Sequence, residues 1–266
     1  IVQDRLAHAS LVDGARLSGA RLRRYPHGDV AQCRRQLERA CGDILLVTDG
    51  VFSMDGDKAD LPALADAAAQ YGAALVVDDA HGIGVLGDSG RGLLEERDCS
   101  NEAVPVLVGT YGKAFGVAGA FVAGEQPVID YLEQAARSRT YSTAPPPGQA
   151  AAAIRALQIV DAEPALRQRL QHNIQRFRDQ AGAAGVPLSG SQTPIQPVIL
   201  GSAERALAAS DQLARHGYWV SAIRPPTVPT GSARLRVSLS AAHDPGQVAG
   251  LVEALAAAIQ VPETAT

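Results

Sequence analysis

Apolar residues along this chain alternate between two rhythms. Short, almost unbroken apolar runs occur at Ile44-Leu-Leu-Val-Thr48, at Ala74 to Val77 and at Val104-Pro-Val-Leu-Val108, the pattern of strands buried on both faces. Between them the spacing widens to three and four residues. Leu61, Leu64, Ala65 and Ala68 share one helical face, and Gly72 stops that helix after Tyr71. Upstream, Ile1 to Asp4 reads as the end of a strand. Ser10 is placed to cap a helix running to about Leu17, Leu22 to Tyr25 reads as a short strand, and Asp29 as the cap of a helix from Val30 to Ala40. Strand, helix and strand in this order imply right-handed crossovers and a mostly parallel sheet. In such sheets ligands sit at the carboxyl ends of the strands, where Asp49, Asp78 and Thr110 all fall.

Past Gly119 to Ala123, another short strand, the pattern changes. An amphipathic helix is predicted over Val128 to Arg137, and Tyr141-Ser-Thr-Ala-Pro-Pro-Pro147 breaks the chain. Gly148 to Gly182 is helical, with Pro164 opening a second helix. The remainder predicts strands near Pro197 to Leu200, Trp219 to Ile223 and Arg234 to Leu239, with helices over Ala203 to His216 and Pro245 to Ile259. No ordered element is expected in the last few residues.

Composition narrows the function classes. At 266 residues, 46% apolar and 20% charged, the chain is an ordinary globular protein with a sizeable core. A net charge of -4 with scattered arginines excludes the basic face that nucleic acid needs. No apolar run approaches the roughly 20 residues of a membrane span. Cys33, Cys41 and Cys99 are odd in number and lack the spacing of a metal knuckle or redox motif, so they read as reduced thiols of a cytoplasmic protein. Asp55, Asp57 and Asp60 lack the liganding glutamate and loop spacing of a calcium site and read as a turn and a helix cap, so no metal is expected.

The candidate chemistry lies at the strand ends. Lys113 stands among Gly109, Gly112, Gly116 and Gly119 just after an apolar strand. By itself this reads equally well as a flexible surface loop, and Asp78-x-x-His81 by itself reads as a capped loop. Together they suit one cofactor. A carboxylate in apolar surroundings needs a cationic partner, and a protonated pyridine nitrogen beside Asp78, with His81 near the ring hydroxyl and Lys113 as Schiff-base amine, describes a pyridoxal phosphate site.

Three motifs extend that reading. Thr48-Asp-Gly-Val-Phe-Ser-Met-Asp-Gly-Asp57, Asp78-Asp-Ala-His-Gly-Ile-Gly-Val-Leu-Gly87 and Thr110-Tyr-Gly-Lys-Ala-Phe-Gly116, in this order, resemble the alpha-oxoamine synthases. That pyridoxal-phosphate family has the aspartate aminotransferase fold, condenses an amino acid with an acyl-CoA and releases carbon dioxide. Trp219 to Arg236 is most similar to the branch that joins L-alanine to pimeloyl-CoA to make a biotin precursor. The resemblance runs from about Asp4 to the C-terminus.

What the resemblance implies is specific. The fold is α/β, a fold-type I pyridoxal-phosphate-dependent transferase with a mostly parallel sheet flanked by helices. A large cofactor-binding domain spans residues 1–160 and a smaller C-terminal α+β domain spans 161–266. Catalysis falls to Lys113, Asp78, His81 and His8, whose ring stacks on the cofactor, while Ser53 and Thr110 lie close to it. Thr143 comes near the phosphate of the neighbouring subunit's cofactor, which implies a homodimer with shared sites. Arg236 holds the carboxylate of L-alanine, and Arg224 and Thr227 complete the substrate set. Arg234 and Arg236 share one face of a strand, so geometry does not choose between them; the family pattern does. Family members also carry a further N-terminal stretch with glycine-rich phosphate-binding loops. Two kinds of alternative stand beside this reading: relatives that use glycine or serine with other acyl-CoAs, and a non-catalytic domain of the same fold.

Overall fold

The computed structural model describes residues 1–260. The expectation for the last few residues lies outside them. The described chain forms two compact units, one from Ile1–Phe52 and Lys58–Pro164, the other from Ser53–Asp57 and the residues from Ala165 onward.

The first unit contains the strands β1 (Val2–Asp4), β2 (Arg23–Tyr25), β3 (Leu45–Asp49), β4 (Ala74–Asp78), β5 (Val106–Thr110) and β6 (Ala120–Gly124). They make one sheet in the order β2-β1-β3-β4-β5-β6. Neighbours run parallel except β5 with β6. The unbroken apolar runs supply its interior, and Val2, Leu46, Leu75 and Val77 are all buried. Parallel neighbours cannot be joined by a tight turn. Crossovers here carry α1 (Ala9–Leu17), α2 (Val30–Glu38), α3 (Leu61–Gln70) and the single-turn α4 (Leu93–Glu96). Asp29 and Asp60 start α2 and α3 by accepting hydrogen bonds from the amides of Gln32 and Ala63. The expected Ser10 cap is corrected: α1 begins two residues earlier than that cap implies, and its cap is His8, whose Nδ1 accepts from the Ser10 amide at 3.3 Å. Beyond β6 come α5 (Gln126–Ala135), α6 (Arg137–Thr140) and α7 (Pro147–Ala162), none of which buries a residue.

The second unit is α+β. It contains α8 (Pro164–Ala183), β7 (Ile195–Gly201), α9 (Ala203–Arg215), β8 (Ser221–Ile223), β9 (Ala233–Ser238) and α10 (Pro245–Ile259). Its antiparallel sheet has the order β7-β9-β8, and its core includes Phe177, Leu213, Leu235 and Leu255, all fully buried. The strand expected from Trp219 begins only at Ser221. β8 pairs with just three residues of β9, Arg234 to Arg236, so nothing backs Trp219, which is 93% exposed.

The segment Ser53–Asp57 is knotted into this second unit. The Gly56 carbonyl accepts from Ser191 Oγ and Thr193 Oγ1, both at 2.9 Å. Gly56 has φ +69°, and a Cβ there would lie 2.3 Å from the Ile195 carbonyl, so only glycine fits.

Candidate active site

Parallel strands deliver their last residues to one edge of the sheet. β3 ends at Asp49 and β4 at Asp78, and the two are register partners. Asp49 is 4% exposed, and its Oδ2 accepts from the His8 amide at 2.8 Å. A residue just past the end of β1 is therefore tied to the end of β3. The same bond places the His8 ring at the start of α1, where its Nδ1 lies 2.8 Å from Ser10 Oγ. Burial pushes the Asp49 carboxyl up to about 7; the nearby Asp78 and Asp4 charges add to the rise, while the His8 amide and the Lys113 charge oppose it. Asp4, at the end of β1, behaves differently. Burial pushes it up too, but hydrogen bonds from His27, Gly28 and Leu6 hold its carboxyl below the usual carboxylate range.

Asp78 is half-buried, and its Oδ1 accepts from the Ala80 amide at 3.0 Å. That bond shapes the turn that carries His81, also half-buried, three residues on. Asp79 points the other way, as alternation along an extended chain requires. It is fully buried, and its Oδ2 accepts from the Leu93 amide at 2.7 Å.

The loop after β5 is closed at its base. Thr110 Oγ1 donates to the Gly119 carbonyl at 2.9 Å and accepts from the Gly112 amide at 3.0 Å, while the Tyr111 amide bonds the Gly119 carbonyl at 2.9 Å. Phe115 anchors the loop by burying its ring against Tyr111, with ring centroids 6.0 Å apart. Gly116 and Gly119, at φ +63° and +112°, let the chain reverse. The outcome is a rigid loop that presents Lys113 on its exposed side, with its charge felt at Asp49.

The first unit thus gathers His8, Asp78, His81, Thr110 and Lys113 around the ends of β3 to β5. Thr143 stands on the exposed segment between α6 and α7 and makes no hydrogen bond among the described residues. Ser53, Arg224, Thr227 and Arg236 belong to the second unit. There the two arginines of β9 part company. Arg234 is 4% exposed, forms an ion pair with Asp55 and donates to the Met54 carbonyl at 3.2 Å. Arg236 is half-buried, donates from Nε to the Ser53 carbonyl at 2.7 Å, and its Nη atoms make no hydrogen bond among the described residues. Burial lowers its pKa. Arg224 and Thr227 are exposed in a turn after β8, where the Thr227 amide bonds the Arg224 carbonyl at 3.0 Å.

Asp79 was missing from the sequence-derived site, and Asp49 was placed at its edge without a role. A signal existed for both: one ends a buried strand beside Asp78, and the other is the second acid of an Asp-Asp pair whose neighbours are apolar.

A parallel sheet with one antiparallel edge strand, carrying an acid at two adjacent strand ends and a lysine on a glycine-bounded loop, is the arrangement of the fold-type I pyridoxal-phosphate fold. The chain belongs to the aminotransferase class I and II family, whose model matches residues 1–255. Among curated proteins it is 56% identical to the 8-amino-7-oxononanoate synthase of Alkalilimnicola ehrlichii over 256 residues, 96% of this chain and 66% of that one. It is 55% identical to the protein of the same name from Halorhodospira halophila over 268 residues, 99% of this chain and 66% of that one. Against the solved serine palmitoyltransferase of Sphingomonas wittichii the TM-score is 0.93 at 31% identity, covering 97% of this chain and 65% of that one. Against 8-amino-7-oxononanoate synthase from Francisella tularensis it is 0.84 at 34% identity, covering 96% and 74%. A further serine palmitoyltransferase, a variant from S. paucimobilis with a bound PLP-myriocin aldimine, gives 0.93 at 30% identity over 97% of this chain and 65% of that one. The resemblance to the alpha-oxoamine synthases is borne out by these matches. The chain spans slightly less than two thirds of the length of the curated relatives cited.

Proposed function

We propose that this chain is the larger part of a pyridoxal-phosphate-dependent acyltransferase that condenses L-alanine with pimeloyl-CoA, giving 8-amino-7-oxononanoate, coenzyme A and carbon dioxide in biotin synthesis. The observation that carries the chemistry is the register pairing of Asp49 with Asp78 at the strand ends, with the Lys113 charge within electrostatic reach. The donor set fits the cofactor: two neighbouring acids favour a cationic ring nitrogen, and an exposed lysine on a closed loop offers the amine. When bound, the cofactor supplies an electron sink that weakens the bonds to the α-carbon of the amino acid.

Each residue then has a task. Asp78 holds the proton on the ring nitrogen, and His81 stands by the ring hydroxyl. His8 covers the ring face, in a position fixed by the bond from its amide to Asp49. Lys113 Nζ binds the cofactor and moves the α-proton of alanine. Thr110 and Ser53 line the cofactor, and Thr143 serves the phosphate of a second subunit. Arg236 offers the two Nη atoms of a planar fork to the alanine carboxylate, a geometry suited to two parallel hydrogen bonds; Arg224 and Thr227 complete the substrate side.

A homodimer belongs to the same proposal. It is supported by α7, which leaves Ile154 and Leu157 60% and 59% exposed. So does a cytoplasmic location, supported by three free cysteines. No helix among the described residues is long and apolar enough to cross a membrane.

The choice of alanine and pimeloyl-CoA rests on relatives at 53 to 56% identity, against 30 to 31% for the serine palmitoyltransferases. The full-length protein, assayed with alanine, glycine and serine against a series of acyl-CoAs, should release carbon dioxide fastest with alanine and pimeloyl-CoA. Preference for serine and palmitoyl-CoA would replace the substrate assignment, and no product from any pair would overturn the enzyme.

A further inference from the structure

Asp79 is a buried acid at this sheet edge that the proposed chemistry leaves unused, and its surroundings are unusual. The side chain is fully buried, Oδ2 accepts from the Leu93 amide at 2.7 Å, and Oδ1 has no hydrogen-bond partner. Three glycines from three separate segments press against the carboxyl. A Cβ at Gly50, directly after β3, would lie 2.5 Å from Oδ1; one at Gly82, next to His81, 2.1 Å from Oδ1; one at Gly92, at the start of α4, 2.0 Å from Oδ2. Only residues without a side chain allow the three backbones to close on this acid.

The backbone around it is tied just as closely. The Asp79 amide donates to the Val108 carbonyl of β5 at 2.9 Å, its carbonyl accepts from Gly82 and Ile83 at 3.0 Å, and the Gly50 amide bonds the Asp78 carbonyl at 2.7 Å. The carboxyl therefore sits where the continuations of β3, β4 and the lead into α4 meet. Burial pushes it up to about 7, with the Asp78 and Glu96 charges adding to the rise and the Leu93 and Gly82 amides opposing it. A buried acid with one bonded oxygen so close to Asp78 costs stability that packing alone does not explain, because an apolar side chain of similar size fills space without it.

We propose that Asp79 is a positioning residue of the active site: its carboxyl, gripped by Gly50, Gly82, Gly92 and the Leu93 amide, sets the turn that aims Asp78 and His81. This rests on the functional reading above. Asp79 touches neither substrate nor cofactor and acts through its two neighbours. Asparagine keeps the shape of the carboxyl and an oxygen for the Leu93 amide. Alanine keeps neither, and alanine at Gly50 pushes the carboxyl away without altering it.

The test uses the full-length protein with pyridoxal 5'-phosphate, measuring cofactor affinity by equilibrium dialysis, the pH midpoint of the visible absorbance of bound cofactor, and folding by circular dichroism. Asp79→Ala should remain folded, bind cofactor at least about 10-fold more weakly and shift the midpoint. Gly50→Ala should show the same two changes, and Asp79→Asn should restore both to within about 2-fold of the parent. If Asp79→Ala fails to fold, Gly50→Ala and Asp79→Asn decide by the same readouts. Parental affinity and midpoint in a folded Asp79→Ala or in Gly50→Ala would overturn the inference, as would an Asp79→Asn variant as impaired as alanine. A parent protein that binds no cofactor would overturn the functional reading itself, an outcome distinct from these.

Discussion

Two buried polar clusters in this chain are built on opposite principles. Around Gly56 in the second unit the hydroxyl and amide side chains bond one another and the backbone: Ser191 Oγ bonds the carbonyls of Gly56 and Ile195 at 2.9 and 2.6 Å, Gln196 Nε2 donates to the Thr193 carbonyl at 2.7 Å, and Gln196 Oε1 accepts from Arg178 at 3.0 Å. All these groups except the arginine are neutral, and the cluster does one thing, which is to fasten the Ser53–Asp57 segment. At the strand ends of the first unit the buried groups are acids, two of them raised to about 7, and Asp79 Oδ1 has no partner. Evolved interiors satisfy their polar atoms. A cluster that keeps charges short of partners retains them for a ligand or for aiming other groups, and the contrast separates fastening from chemistry without any knowledge of relatives.

The same contrast divides the two arginines of β9. Arg234 spends its guanidinium on Asp55 and the Met54 carbonyl and is buried. Arg236 spends only Nε, on the Ser53 carbonyl. One fastens and the other has hydrogen bonds to give.

If the acidic edge is chemical, removing a charge there harms turnover and spares the fold. Asp78→Asn in the full-length protein should lower the rate of α-proton exchange in alanine by about 10³-fold, in the range found when a preorganised electrostatic partner is removed. Exchange at the parental rate would make Asp78 structural. The arginine pair gives the next largest effect, with the two losses appearing in different measurements. Arg236→Ala should weaken alanine binding by about 2 to 5 kcal/mol with little change in the thermal midpoint. Arg234→Ala, which removes the partner of a carboxylate that still reaches solvent, should instead cost about 1 to 3 kcal/mol of stability and leave alanine binding nearly unchanged. Equal losses of alanine binding from both would break the distinction.

In the fastening cluster, Ser191→Ala should reduce unfolding free energy by about 1 to 3 kcal/mol, because it removes the Ser191 bonds to the Gly56 and Ile195 carbonyls and leaves Gly56 with Thr193 Oγ1 alone. Turnover measured below the unfolding transition should be unaltered; a change in cofactor affinity would blur the contrast. A further effect concerns pH. Asp49 binds its proton more tightly when folded, up to about 7 against 3.8 ordinarily. Between those two values the folded state holds more protons than the unfolded one, so stability present at low pH is lost as pH rises through about 7. Unfolding free energies from urea titrations at pH 5 and pH 8 should show a fall in the parent that is smaller in Asp49→Asn, by about 2 kcal/mol. Equal falls would place the titration elsewhere.

The sheet was legible because buried parallel strands must be continuously apolar, and their ends placed Asp49, Asp78 and Thr110 on one edge. What lay beyond reach was anything set by distant partners. Nothing near β9 in the chain tells that Arg234 will meet Asp55, 179 residues away. The burial of Asp79 depends on Gly50 and Gly92 arriving from other segments, and α4 is too short to show a periodicity. His8 displaced Ser10 as the cap because Asp49 holds its amide, again a contact made only after folding. The fork of Arg236 was named from the resemblance, since alternation alone treats both arginines alike.

The central claim is that Lys113 carries the cofactor, and this chain poses the question sharply because it has only two lysines. Lys58 is held by Glu96, with Nζ 2.7 Å from Oε1, whereas Lys113 is exposed on its glycine-bounded loop. The full-length protein should be loaded with pyridoxal 5'-phosphate, reduced with borohydride, digested and mapped by mass spectrometry. The account predicts the cofactor's mass on the peptide that contains Lys113 and none on the peptide that contains Lys58; label on Lys58, or no label fixed at Lys113, would contradict it.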